Sequence, residues 1–322
     1  MEIYPLRFKP ILKERLWGGH KLRDVLQKNF EGTGVGESWE LSGVEGDVSR
    51  VDNGPYNGKS LNELIQAYPT ELLGKPIIDK FGEEFPILVK FIDAQKDLSI
   101  QLHPGDELAR ARHNSFGKTE MWYVMDADPG AELIIGFKRD MSKEEYQRAM
   151  EEKSLPQYLH YEPVGPGDTF FINSGKIHAI GAGILLAEIQ QSSDVTYRVY
   201  DFDRRDDKGN LRELHTELAL DAMDFKKIDD FKIQYGKQKN QENLMVSSPY
   251  FKTSFLELDT DTRLSLSHPD SFTVLICVDG VAEVVLNSWK IQIKKGETVL
   301  LPAAAAEAMV NTSQSRFLKV SL

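Results

Sequence analysis

The segment Leu98-Ser99-Ile100-Gln101-Leu102-His103-Pro104 alternates apolar and polar side chains. Because a β-strand has a side-chain period of two, its apolar residues face one side while Gln101 and His103 face the other. Two side chains that can bind a metal ion therefore share one face of a predicted strand. The alternation predicts a β-sheet with a core on one side and a polar site on the other.

Short apolar or alternating runs of the same kind recur along the chain, bounded by Gly, Pro, Asp and Asn. They cover residues 85–92, 98–102, 121–125, 132–137, 169–172 and 184–189. This spacing is typical of antiparallel sandwiches and barrels. Helical signals are confined to residues 60–65, 142–150 and 211–222, and the first begins with Ser60 and Glu63 placed for a capping box. We predict a mainly β fold with short helical insertions.

A weak internal repeat indicates two related β-units. Gly167-Asp168-Thr169-Phe170-Phe171-Ile172-Asn173 is echoed by Gly296-Glu297-Thr298-Val299-Leu300-Leu301-Pro302. Between them the composition turns polar over residues 225–247, where we place the boundary, which gives domains 1–235 and 236–322. Continuing the register sets His178 opposite Glu307, so we expect the second unit to lack its own metal ligands.

Composition and charge narrow the function class. The chain has 322 residues and a formal net charge of −11, so it carries no electrostatic footprint for nucleic acid or an anionic membrane. The single cysteine, Cys277, is more natural in a reducing compartment, and the N-terminal twenty residues have no apolar signal-peptide core. We expect a cytoplasmic protein with a small-molecule partner, while the sequence leaves its oligomeric state open.

Two further ligand-type residues follow Gln101 and His103. Glu120 opens a second predicted strand, and His178 ends a strand-and-turn segment that begins at Phe170. Imidazole and carboxylate groups together suit zinc, or a neighbouring divalent metal such as manganese or iron. The other five histidines lack such a context and are interpreted as ordinary residues: His20, His113, His160, His215 and His268.

Six segments, in order, resemble the type I phosphomannose isomerase family of the cupin superfamily, in its compact bacterial branch. They are Trp17-Gly18-Gly19, Gly36-Glu37-Ser38-Trp39-Glu40, Leu98-Ser99-Ile100-Gln101-Leu102-His103-Pro104, Gly117-Lys118-Thr119-Glu120-Met121-Trp122, Gly175-Lys176-Ile177-His178-Ala179, and Glu188-Ile189-Gln190-Gln191-Ser192-Ser193-Asp194 leading to Tyr197-Arg198-Val199-Tyr200-Asp201. The resemblance implies a cupin-type jelly roll and a metal-dependent isomerase of mannose 6-phosphate and fructose 6-phosphate.

The resemblance also implies roles for seven residues. It implies one divalent metal ion, zinc in the first place, bound by Gln101, His103, Glu120 and His178. Arg198 matches the active-site arginine of the family, and Lys118 and Glu188 match polar residues of its substrate pocket, so these three are the candidate catalytic and substrate-binding residues.

Each of the three has a second interpretation. Arg198 can stabilise an enediolate electrostatically, or it can form a structural ion pair with Asp194 or Asp201. Lys118 can contact phosphate, transfer a proton or be a solvated loop residue. Glu188 lies in an apolar strand, where an unpaired carboxylate is costly, so it faces a polar cavity or a salt bridge. The sequence does not identify the proton-transfer base.

Two other functions stay open at this stage. One is a cupin oxygenase using iron, although Gln101 stands where such cupins usually have a histidine. The other is a non-catalytic sugar-phosphate-binding cupin.

Overall fold

The computed structural model of the chain describes residues 1–32, 34–205 and 209–322. Antiparallel strands form most of its regular structure, which confirms the predicted mainly β fold. In chain order the strands are β1 (Leu6–Arg7), β2 (Ile11–Gly19), β3 (Val35–Leu41), β4 (Ile87–Ala94), β5 (Ile100–Leu102), β6 (Glu120–Ala127), β7 (Glu132–Phe137), β8 (Leu159–Pro163), β9 (Thr169–Ile172), β10 (His178–Ile180), β11 (Ile184–Gln191), β12 (Tyr197–Tyr200), β13 (Asn243–Ser247), β14 (Lys252–Leu258), β15 (Thr262–Ser265), β16 (Thr273–Leu286), β17 (Trp289–Lys294), β18 (Thr298–Leu301) and β19 (Glu307–Ser321).

Helices interrupt the strands more often than predicted. They are α1 (Lys21–Asp24), α2 (Leu61–Ala67), α3 (Pro69–Leu73), α4 (Lys75–Phe81), α5 (Asp106–His113), α6 (Lys143–Glu151) and α7 (Thr216–Ala222), with single 3-10 turns at Gly54–Tyr56 and Leu155–Tyr158. The predicted capping box of Ser60 and Glu63 is formed at α2, and Ser142 and Glu145 form another at α6. No described helix reaches the length and apolar character needed to cross a bilayer.

Helix α5 lies outside the three segments in which the sequence predicts helices. Its residues lack a clear apolar period, and only Ala109 is buried. Acidic Asp106 and Glu107 occupy its first turn, basic residues occupy its last, and Asn114 ends it in the left-handed conformation. The helix thus follows from interactions with the helix dipole and from its C-terminal cap, which hydrophobic periodicity does not reveal.

The six-stranded sheet has the order β2-β3-β4-β11-β6-β9 and separates two environments. On one face, register aligns Trp39 with Lys90, Lys90 with Glu188, Glu188 with Trp122, and Trp122 with Phe170. Directly opposite residues point to the same side of a sheet, so this row carries charged groups across one face. The alternate residues belong to a buried apolar cluster shared with the C-terminal strands.

The five-stranded sheet, in the order β12-β5-β10-β7-β8, faces the charged row. Its register sets Gln101 opposite His178 on one side and opposite Arg198 on the other. Another apolar cluster, including Trp122, Leu133 and Phe170, fills part of the space between the two sheets. The two sheets form the predicted sandwich of the first β-unit.

The last seven strands, together with β1, form an eight-stranded sheet around its own apolar cluster. The repeated sequence motifs become β9 and β18, and the glycine before each, Gly167 and Gly296, has a φ of 90° and 85° respectively. The residue opposite His178 in the predicted repeat, Glu307, is exposed and pairs with Arg263 at 3.0 Å. The motif thus keeps its strand and turn in the second unit, but Glu307 forms a surface ion pair.

The N-terminal residues take part in this C-terminal sheet. Strand β1 pairs with β18, with Leu6 opposite Leu300. The buried cluster behind the six-stranded sheet likewise contains residues from both ends of the chain. The division into 1–235 and 236–322 stays a prediction, and the two parts share a core.

A buried ion pair lies beneath β3. The Nζ atom of Lys28 is 2.7 Å from Oε1 of Glu40, and each side chain is less than a tenth exposed. The Lys28 ammonium also lies 5.3 Å from the ring centre of Phe91. Such a pair gains little over apolar residues of equal shape, but one charge left alone there is costly.

Lys28→Met is therefore expected to lower the free energy of unfolding by about 3–5 kcal/mol, because it leaves the buried Glu40 carboxylate without its opposite charge. The double variant Lys28→Met/Glu40→Leu is expected to recover most of that loss. Urea unfolding measures both, with Lys75→Met as the control, since the exposed Lys75–Asp79 pair at 2.9 Å contributes about 1 kcal/mol or less. Equal losses of unfolding free energy in the single and double variants would contradict the explanation that an unpaired buried charge causes the loss.

Candidate metal centre and adjoining cavity

Three predicted ligands meet between the two sheets of the first unit. Glu120 begins β6, His178 begins β10, and His103 follows β5 by one residue. One ligand atom from each lies within 4.8 Å of the other two, and all three side chains are at most 1% exposed. The Nε2 atoms of His103 and His178 are 3.5 Å and 3.4 Å from the two oxygens of Glu120.

The chemistry of these atoms fits a divalent metal ion. Nδ1 of His103 lies 2.8 Å from the carbonyl of Val195, and Nδ1 of His178 lies 2.8 Å from that of Lys176. Each ring can donate from Nδ1 and keep an Nε2 lone pair for a metal. Among the described residues, Oε1 of Glu120 and Nε2 of His178 have no hydrogen-bond partner. Buried polar atoms without partners are costly, and a bound ion would satisfy them.

Burial also sets the protonation states. It lowers the pKa of His178 to about 4, and together with the charge of Lys118 it lowers the pKa of His103 well below its ordinary value. Both imidazoles are therefore neutral near pH 7, as ligation requires. Burial raises the pKa of Glu120 to about 7, against the opposing effect of Lys118. Even with the Lys118 ammonium beside it, this carboxyl is only partly ionised at neutral pH, and a bound metal ion would ionise it further.

Lys118 supplies a cation at this position. Its Nζ atom is 3.0 Å from Nε2 of His103 and 3.1 Å from Oε2 of Glu120. Burial would lower the pKa of Lys118, but Glu120 and Glu188 outweigh it and raise the pKa above the ordinary value. The single lone pair on His103 Nε2 serves either the ammonium or a metal ion, but not both.

Gln101 lies beside these residues without joining their contacts. Its side chain accepts a hydrogen bond of 3.3 Å from Ser99 Oγ, and it is partly exposed on the wall of a cavity. Register places it between His178 and Arg198 on the same sheet face. Ligation by Gln101 stays a prediction.

A cavity of about 420 Å³ adjoins the three ligands through Lys118, and the remaining predicted residues line it: Gln101, Lys118, Glu188 and Arg198. Five basic and three acidic side chains line it, so the cavity has a local excess of positive charge in a chain of net charge −11. Its lining consists of Arg15, Trp17, Glu37, Trp39, Lys90, Ile92, Leu98, Ser99, Gln101, Lys118, Trp122, Ile180, Glu188, Asp194, Thr196, Arg198 and Arg212. Such a lining favours a small polar anion.

Glu188 is held on two sides. Lys90 Nζ lies 3.0 Å from its Oε1, and the indole N–H of Trp122 donates to its Oε2 over 2.8 Å. Burial alone would raise the pKa of Glu188, but Lys90 and Lys118 lower it to about 2. Glu188 is therefore ionised and fixed, which suits an acceptor for substrate hydroxyls better than a proton-transfer base.

Arg198 makes no ion pair within the described residues, either with Asp194 or with Asp201. Its Nη1 donates to the carbonyl of Glu213 over 2.9 Å, and its backbone N–H donates to Nδ1 of His215 over 3.1 Å. The interpretation as a structural ion pair with either aspartate therefore finds no support in these contacts. The guanidinium donates to one neutral acceptor, the carbonyl of Glu213, and its positive charge is not paired with a carboxylate among the described residues.

The sequence analysis missed several cavity residues. Lys90 stands in the apolar run of β4, and that was a usable signal, because a charge in a buried strand needs a partner. The pattern of its strand predicts that Trp122 is a core residue, and its side chain is buried. Its indole N–H nevertheless orients Glu188. Arg212 lies in the segment 211–222 for which the sequence predicts a helix, but the helix α7 begins only at Thr216, and Arg212 lines the cavity from the residues before it.

The fold and these side chains define a cupin-type protein with a candidate metal centre beside a cationic cavity. Models of two domains match the chain: the catalytic domain of type I phosphomannose isomerase over residues 6–138, and the cupin domain of mannose-6-phosphate isomerase over residues 240–320.

Known proteins resemble the chain over nearly its full length. A probable mannose-6-phosphate isomerase of Bacillus subtilis is 36% identical over 94% of this chain and 95% of its own, and the Streptococcus mutans mannose-6-phosphate isomerase is 35% identical over 92% of both. The crystal structure of the mannose 6-phosphate isomerase from Bacillus subtilis covers 99% of both chains with a TM-score of 0.89 and 31% identity. The chain belongs to the type I phosphomannose isomerase family.

His103→Ala and Glu120→Gln are each expected to reduce bound metal to below about a tenth of the wild-type content, since each removes one of three ligands. Elemental analysis after dialysis measures this. His113→Ala is the matched control: His113 lies 2.8 Å from the Tyr197 hydroxyl rather than in the ligand cluster, so its metal content should equal wild type. Full metal content in His103→Ala would contradict the site.

Proposed function

We propose that this chain interconverts mannose 6-phosphate and fructose 6-phosphate through an enediol intermediate, with one divalent metal ion, zinc in the first place. The observation that carries the proposal is that Lys118, which contacts His103 and Glu120 of the ligand cluster, also lines a cavity with excess positive charge. Family membership supports the same reaction. The cytoplasmic location predicted from Cys277 belongs to the same proposal.

The reaction moves a proton between C1 and C2 of the open-chain sugar, so negative charge develops on two neighbouring oxygens. When bound by His103, Glu120 and His178, with Gln101 as a further ligand, the metal ion would act as a Lewis acid for these oxygens. Arg198 faces the same space with an uncompensated guanidinium. It would stabilise the enediolate through charge-assisted hydrogen bonds.

Glu188 and Lys118 would complete the site. Glu188 is ionised, and Lys90 and Trp122 fix its orientation. We assign it to accepting a hydrogen bond from a sugar hydroxyl. Lys118 contacts the ligand cluster and lines the cavity, and its raised pKa keeps it an ammonium ion, so it is placed to donate a proton to a substrate oxygen. This placement at the metal end favours a proton-transfer role over phosphate binding.

Purified, metal-loaded protein is expected to convert mannose 6-phosphate to fructose 6-phosphate in a coupled assay, and His103→Ala is expected to lose this activity along with its metal. His113→Ala serves as the folding and histidine-content control. No isomerisation above the His103→Ala background would refute the proposal. Tight binding of the sugar phosphate without turnover by metal-loaded protein would instead favour the non-catalytic cupin.

Lys118→Met is expected to bind metal at least as tightly as wild type, because it removes a cation that competes for His103 Nε2 and Glu120. Its kcat should fall about 10²–10⁴-fold, the range for losing a proton-transfer group. Metal titration and steady-state kinetics measure the two effects. A solvated loop lysine would change neither quantity, so wild-type values of both would rule out the assigned role.

A further inference from the structure

A buried carboxylate at the edge of the cavity holds two arginines. Asp201 is 5% exposed and lies directly after β12. Arg212 donates to it from Nε, at 2.6 Å to Oδ2, and from Nη2 to Oδ1. Arg204 donates to the same carboxylate from Nε, at 3.1 Å, and from Nη2. One buried negative charge thus fixes two guanidinium groups.

The two arginines point to different places. Arg212 lines the cavity together with Arg198, whereas Nη1 of Arg204 donates to the backbone carbonyl of Asp97. The charges of Arg212 and Arg198 are close enough to interact: after burial, Arg212 is the largest influence that lowers the pKa of Arg198. No described residue accepts a hydrogen bond from Nη1 of Arg212.

The remaining basic residues of the cavity have carboxylate partners. Lys90 lies 3.0 Å from Glu188, Lys118 lies 3.1 Å from Glu120, and Arg15 lies 2.9 Å from Glu37. Arg198 has no such partner among the described residues, and Arg212 shares its partner with a second arginine. The uncompensated positive charge of the cavity therefore lies on the side of Arg198 and Arg212.

We propose that Arg212, positioned by Asp201, is a specificity-determining residue that binds the phosphate of the sugar substrate. A guanidinium group forms strong, directional hydrogen bonds to phosphate oxygens. Asp201 takes two of the three guanidinium nitrogens, and the third, Nη1, is left without an acceptor among the described residues, on a side chain that lines the cavity. This inference rests on the proposed function for its substrate, but the phosphate contact itself is testable without turnover.

The test is a matched pair, Arg212→Lys and Arg204→Lys, which keep the net charge and a group able to reach Asp201. Calorimetry with inorganic phosphate and metal-loaded protein measures the contact directly, and steady-state kinetics measures KM and kcat for mannose 6-phosphate. Arg212→Lys is expected to weaken phosphate binding and raise KM about tenfold, the effect of one charge-assisted hydrogen bond, with kcat within about threefold of wild type. Arg204→Lys should stay within about twofold of wild type throughout.

Equal losses in the two variants would show that the effect passes through Asp201 and would overturn the proposal, as would unchanged phosphate affinity in Arg212→Lys. Arg212→Gln, with its thermal midpoint measured alongside, provides a second variant if the lysine variant misfolds; it should weaken phosphate binding at least as much. Absence of isomerisation by wild type would refute the proposed reaction, while the phosphate titrations would still decide the role of Arg212.

Discussion

The two-residue period of β4, β6 and β11 is the constraint on which the rest of the structure depends. Each of these strands has neighbours on both faces, so every side chain must suit either the C-terminal sheet or the cavity. Phe91 and Ala187 pack into the shared core, while Lys90 and Glu188, one residue away, face the site. A shift of one residue would bury the site and expose the core.

Charge in such a buried space is tolerated only in pairs. The ammonium group of Lys90 pairs with the carboxylate of Glu188, and that of Lys118 contacts His103 and Glu120. These contacts hold the site together, and they also leave Glu120 and His178 with polar atoms that lack hydrogen-bond partners. The ligand cluster thus keeps buried polar atoms without hydrogen bonds, which is typical of a functional site.

The sequence predicted those features that depend on local pattern. Alternation around Gln101 and His103 predicted the strand β5 and the face they share, and the resemblance brought in Glu120, His178 and Arg198, which the fold places on neighbouring strands. The prediction that left residues 106–113 without a helix was wrong, because the residues of α5 follow dipole and capping preferences rather than an apolar period. Lys90 was missed because its partner, Glu188, lies far along the chain. Arg212 was missed because its role depends on the fold that sets Arg212, held by Asp201, beside Arg198 at the cavity.

Strand β1 gives the chain a particular order of assembly. Its residues are synthesised long before those of their partner β18. Until β18 has been made, Leu6 has no sheet partner. The C-terminal sheet, for its part, cannot complete its edge from its own residues. This edge of the sheet therefore closes only when both segments are present, and a fragment that lacks β1 would present the bare edge of β18 to other chains.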